Sequence, residues 1–268
     1  MGEAKHRQNS INACVYCGAN VDLSKEHVIP EGLGGRLIIY NASCKSCAEK
    51  TCKLEGSLLR GHWWSARQFL GIVSKKSHKK VVPDLKVKLH SADGSVADAT
   101  IPMREHTLTL IFEFPAPTIL IGQTTENEPY ATKIAAKALA PSPKFVTIDG
   151  SRHMVSATQK IEFPVNFDAG ELARFLAKVA HCYAISRRGM DACSEYFLPE
   201  YILGRTKGIL TYVGGNSSPI VGPFLPGGGM HRMMDRKQGD FLSVYIQLFI
   251  DRGDAPPIYE VIVGRLQE

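Results

Sequence analysis

Apolar positions recur with two different periods along this chain, and each period predicts a different element. From Leu85 to Ile101 they alternate: Leu85, Val87 and Leu89 share a face, Asp93-Gly94 turns the chain, and Val96 to Ile101 returns. Period-two alternation around an Asp-Gly pair predicts a β-hairpin with one buried face. Further strands are expected at Thr107–Phe114, Thr118–Gly122, Phe145–Ile148 and Lys160–Val165, then at Phe241–Ile250 and Ile258–Val263, with Gly253–Pro257 as the turn between the last two. Between Phe167 and Arg187 the period changes to 3.6, because Leu172, Phe175, Leu176, Val179, Ala180 and Tyr183 fall on one helical face. Asp168 with Glu171 has the form of a capping box, and Arg187-Arg188-Gly189 gives a basic end and a stop. A second helix is expected over Glu126–Ala140, while the Gly- and Pro-rich Pro223–Gly229 reads as a loop.

The first sixty residues follow another plan. Two short strands are expected around Val28–Ile29 and Leu37–Tyr40, joined by the glycine turn Gly32–Gly35. A helix then runs from Ser43 or Lys45 toward Phe69, with Gly56 and Gly61 as possible breaks. Across this ββα outline lie two C-x-x-C knuckles, Cys14-Val15-Tyr16-Cys17 and Cys44-Lys45-Ser46-Cys47. Each knuckle presents two thiolates from one tight turn, so the pair supplies the four-sulfur tetrahedron that a structural zinc prefers. Such a site is closed to substrate, so zinc accounts for folding, and any chemistry has to come from the enclosed residues.

Those enclosed residues carry a family resemblance. Cys14-x-x-Cys17-Gly18, Glu26-His27-Val28-Ile29-Pro30, Gly32-Leu33-Gly34-Gly35, Asn41 and Cys44-x-x-Cys47 stand in the order found in the zinc-knuckle branch of the HNH (ββα-metal) endonucleases, which residues 12 to about 60 resemble. The resemblance implies hydrolysis of nucleic-acid phosphodiester bonds. It casts His27 as the base that deprotonates water, Glu26 as a ligand of a divalent ion such as Mg²⁺ or Mn²⁺, and Asn41 as the residue that holds the catalytic loop. Adjacent residues of a strand point to opposite faces, so Glu26 and His27 share a cleft only if twist or a bulge turns them together.

One position departs from the family pattern. Directly after the last knuckle cysteine the family places a His or Asn as a metal ligand, and here that residue is Ala48. Glu49 is the nearest substitute, roughly 100° further round a helix. Glu55 shares the face of Ala48 but lies about two turns, ~10 Å, along it, too far for direct ligation. A zinc-containing, nucleic-acid-binding protein with a degenerate, non-cleaving site is therefore the alternative reading.

Charge strengthens the link to a polyanion. The 268 residues carry a formal net charge of +6, and residues 1–90 hold 15 Lys and Arg against 7 Asp and Glu, the remainder 17 against 19. Arg36, Arg60, Arg67, Lys75, Lys76, Lys79 and Lys80 are the candidate contacts to a nucleic-acid backbone, with DNA the expected substrate, because phosphate neutralisation supplies most sequence-independent affinity. Trp63 and Trp64, among them, are expected to pack the module onto the rest of the chain. His231, Arg232 and Arg236 read as exposed loop residues, and His181 as a structural helical histidine. Cys52, Cys182 and Cys193 are left as free thiols. With no basic-apolar leader and no apolar run near the ~18 residues that span a bilayer, a cytoplasmic protein is expected. The fold class expected is α+β: an HNH module with structural zinc over residues 1–72, then a mixed, largely antiparallel α+β domain over 73–268 that selects a target or partner.

Overall fold

The computed structural model describes residues 10–61, 63, 64, 67, 72, 84–101, 110–124, 135–138, 145–162, 168–216, 225–226, 230–250 and 256–267. It is a mixed α+β fold with antiparallel sheets. Strands β1 (Leu23–His27) and β2 (Ile38–Cys44) pair antiparallel, and helix α1 (Lys45–Arg60) follows β2 without a break. The helix passes through Gly56 and stops at Gly61, whose N–H bonds the Ser57 carbonyl. β1 ends before Val28 because that residue and Ile29, both fully buried, lead into Pro30 and a 3-10 turn at Glu31–Leu33 instead of continuing the ladder. Gly35 closes this turn so tightly that a Cβ would stand 1.9 Å from the Ile29 carbonyl oxygen, which only glycine permits.

A small sheet follows, built from β3 (Leu85–His90), β4 (Val96–Ile101), β7 (Phe145–Ile148), β8 (Ser151–Met154) and β9 (Lys160–Glu162), in the order β8-β7-β4-β3-β9. Its alternating face, Val87, Leu89, Ala99, Ile101 and Val146, forms a core of its own. β5 (Leu110–Glu113) pairs with β6 (Ala135–Ala138). The expected helix over 126–140 is therefore corrected at Ala135–Ala138, where cross-strand pairing outweighs the helical preference of alanine. Thr118–Ile121 is likewise a 3-10 turn and not a strand, ended by Gly122 at φ 71°.

The main sheet has the order β10 (Cys193–Tyr196), β15 (Ile258–Leu266), β14 (Phe241–Leu248), β13 (His231–Gln238) and β12 (Leu225–Pro226), with β11 (Val213–Asn216) also pairing with β15. Helix α2 (Ala169–Arg188) packs against β14, β15 and α1. Fourteen of its twenty residues are buried, so the helix is enclosed on all sides instead of on one face. Asp168 caps it by accepting from the Gly170 and Glu171 N–H groups, while the Glu171 carboxylate turns instead to Ser57 of α1. One continuous core joins the N-terminal ββα unit, α2 and the main sheet. Trp63 takes the packing role, 1 % exposed and edge-on to Phe175 at 4.7 Å.

Two buried histidines fasten that junction. His181 Nε2 donates to the Val15 carbonyl, within the first knuckle, at 2.7 Å. His231 Nε2 donates to the Leu33 carbonyl at 2.8 Å, and its Nδ1 accepts from the Phe249 N–H, so the exposed-loop reading of His231 is corrected: the ring is fully buried. Burial drives the His181 pKa down to about 4, against the opposing pull of the Val15 carbonyl. An unfolded imidazole titrates near 6.5, so between those values the unfolded chain binds the extra proton. His181 thus contributes stability that is fully present above about pH 6.5 and lost as pH falls toward 4, by about 3 kcal/mol in all. Urea midpoints of the parent and of His181→Gln, compared across this window, should diverge with a steeper slope in the parent; parallel slopes would refute the assignment.

Candidate metal centre and HNH site

The four knuckle sulfurs come together. Cys14 lies in a turn closed by the Gly18 N–H on its carbonyl, Cys44 is the N-cap of α1, and Cys47 sits in the first turn of that helix. All four Sγ atoms lie within 4.8 Å of one another, and Cys17 Sγ is 3.7 Å from Cys44 Sγ. A tetrahedron with Zn–S bonds of about 2.3 Å has edges of about 3.8 Å, so the spacing fits structural zinc. The Cys44 thiol is drawn down to about 7, chiefly by the backbone N–H of Cys47, as suits a ligand that binds as thiolate. Burial pushes the Cys14 and Cys47 thiols up, which a bound cation would reverse.

Glu26 and His27 occupy the end of β1, opposite Ile39 and Ile38 of β2, just past a bulge between Ser24 and Glu26. Glu26 is 6 % exposed, and its Oε1 is 2.9 Å from the Lys178 ammonium of α2. The same ammonium is 2.7 Å from Glu55 Oε1 and donates to the backbone carbonyls of His27 and of Val28, the latter at 3.3 Å. Lys178 is fully buried. Burial works against its charge, but the two carboxylates override that and hold it protonated above the ordinary amine range. Burial raises the Glu55 carboxyl, and Lys178 partly restores it.

His27 is partly exposed, and its Nδ1, buried, has no hydrogen-bond partner among the described residues. Burial depresses its pKa, and the charges of Lys25 and Lys178 add to the effect against Glu31 and Glu26, which favours the neutral ring. Asn41, at φ 50°, donates to Ser10 Oγ and Asn12 Oδ1 and so steadies the segment that enters the first knuckle. Glu49 is exposed on α1, while Glu55, which its distance from Ala48 had set aside, is the carboxylate that meets Glu26 across Lys178. Among the described residues the four thiols are the only group of three or more metal-binding side chains. Beside His27 the carboxylates of Glu26 and Glu55 are engaged by the Lys178 ammonium and, among the described residues, are not grouped with a third metal-binding side chain.

Of the candidate phosphate contacts, Arg36 and Arg60 are exposed. Arg67 is engaged within the fold, its Nε on the Gly32 carbonyl at 2.7 Å and Nη1 on the Leu59 carbonyl at 3.0 Å. Lys75, Lys76, Lys79 and Lys80 lie outside the described residues. Lys178 escaped the sequence reading, although one signal pointed to it: a lone lysine inside the apolar run from Leu172 to Ile185 needs a buried counter-charge.

With this geometry in hand, residues 14–58 match the model of the HNH endonuclease family. That segment is an HNH module, nuclease-type, with a four-cysteine metal site, and the family implies a nucleic-acid substrate. No curated protein and no solved structure matches the chain. Among the described residues no helix is long and apolar enough to cross a membrane.

Proposed function

We propose that this protein is an endonuclease that hydrolyses phosphodiester bonds of nucleic acid, DNA before RNA, with His27 as general base. The observation that carries the reading is the place of His27 within a matched HNH segment: a half-buried imidazole whose Nδ1 has no hydrogen-bond partner among the described residues. A base must keep a lone pair free at working pH, and burial together with neighbouring cations favours this for His27. Exposed Arg36 and Arg60, with Lys25 beside His27, offer charge to the phosphate backbone. The Mg²⁺ or Mn²⁺ that the resemblance implies enters no step here, because Glu26 is held by Lys178 and Glu49 is exposed. The region from residue 73 onward is assigned the choice of target or partner, since the module leaves that surface unexplained.

A second reading, a zinc-bearing nucleic-acid binder that does not cut, is favoured by the Lys178 contacts and by Ala48. Nicking of supercoiled plasmid, with Mg²⁺, Mn²⁺ or neither, separates the two. The parent should nick, and His27→Ala should fall by about 10²–10⁴-fold with its zinc retained. Equal cutting by both proteins removes His27 as the base. DNA retention without cutting by either supports the second reading.

A further inference from the structure

We infer that the Lys178 ammonium is the resident cation of the HNH site, occupying the Glu26 carboxylate that the family resemblance gives to a divalent ion and keeping such an ion out. The inference rests on the proposed reading of the module and deepens it by naming the counter-charge of that site.

Four oxygens surround the ammonium: those of Glu26 and Glu55, and the backbone carbonyls of His27 and Val28. Carboxylate and carbonyl oxygens are the hard donors that Mg²⁺ and Mn²⁺ also seek, so lysine and ion compete for one ligand set. Hydration decides against the ion. Mg²⁺ keeps several waters, and the wholly enclosed Lys178 side chain fills the volume beside Glu26 that those waters would need. Repulsion decides in the same direction, because a second cation on Glu26 would lie within a few ångströms of the first in a poorly screened interior.

Tethering makes the competition one-sided. Lys178 projects from a helix buried on all sides, so its ammonium is presented to the carboxylates intramolecularly, at an effective concentration that free ions in solution do not approach. The contact also reaches the base. By donating to the His27 carbonyl, the ammonium that balances Glu26 and Glu55 fixes the backbone of His27 as well, which makes Lys178 a positioning residue supplied by the C-terminal half of the chain.

Manganese binding to the zinc-loaded, full-length protein, followed by the electron paramagnetic resonance of free Mn²⁺, tests this without reference to cleavage. The parent and Glu26→Gln should bind Mn²⁺ equally weakly. One Mn²⁺ bound by the parent and lost in Glu26→Gln would overturn the inference. Lys178→Met should gain a site at least about tenfold tighter than any in the parent, lost again when Glu26→Gln is added. A Lys178→Met protein that keeps its zinc and its circular dichroism yet gains no Mn²⁺ would also overturn it. Should that variant fail to fold, the comparison of the parent with Glu26→Gln decides alone. Because ion counts do not depend on cutting, failure of the His27 experiment and failure of this one are distinguishable.

Discussion

Cys44→Ser should release the zinc and unfold the N-terminal ββα unit. Structural zinc sites bind with about 10–16 kcal/mol of apparent free energy, and most of that is folding free energy because the unfolded chain holds no preformed site. Cys44 is at once a metal ligand and the N-cap of α1, so its loss removes both the fourth sulfur and the anion at the helix start. The damage should spread. Leu54, Leu58 and Trp63 share one core with Phe175 and Val244, so loosening α1 exposes α2 and the main sheet. Zinc content and the far-ultraviolet circular dichroism melt measure the effect, and Cys52→Ser, an exposed thiol outside the cluster, is the control that should keep its zinc. A Cys44→Ser protein with full zinc occupancy and an unchanged melting curve would refute the structural-zinc assignment.

The next largest effect is expected at Lys178. Lys178→Met should cost about 3–5 kcal/mol of stability, because it leaves the carboxylates of Glu26 and Glu55 facing each other in the core without a counter-charge. Combining it with Glu26→Gln and Glu55→Gln should recover most of the loss, since the destabilisation comes from unpaired charge rather than from missing volume. Urea midpoints at constant slope are the measurement. A Lys178→Met midpoint equal to that of the parent would mean that the ammonium holds nothing together. Recovery by the triple variant would also separate stability from chemistry, because it keeps the fold while abolishing the charge cluster next to His27.

Much of this architecture was legible before any coordinates. The knuckle spacing announced four converging sulfurs, because the two cysteines of a C-x-x-C turn face one point whatever surrounds them. The apolar period from Leu172 to Tyr183 announced α2, and Asp168 caps it as its position suggested. Alternation announced the hairpin of β3 and β4 around Gly94. The short elements were less legible. Val28–Ile29 has the composition of a strand yet lies outside β1, since Pro30 and the Glu31–Leu33 turn redirect the chain. Ala135–Ala138 has the composition of a helix yet pairs with β5. Both outcomes depend on neighbours remote in sequence, which local preference does not encode.

The sequence by itself determined the four-cysteine cluster, the order of the ββα elements around Glu26 and His27, and the basic character of the N-terminal third, because each is written in spacing or in charge along a short stretch of chain. Only the tertiary structure decided what Glu26 holds. Lys178 is about 150 residues from Glu26 in the chain, His181 reaches Val15 and His231 reaches Leu33 over comparable separations, and a buried polar group reveals its partner only when the core closes around it. That closure seats the Lys178 ammonium on Glu26, the carboxylate that the family resemblance offers to a metal ion.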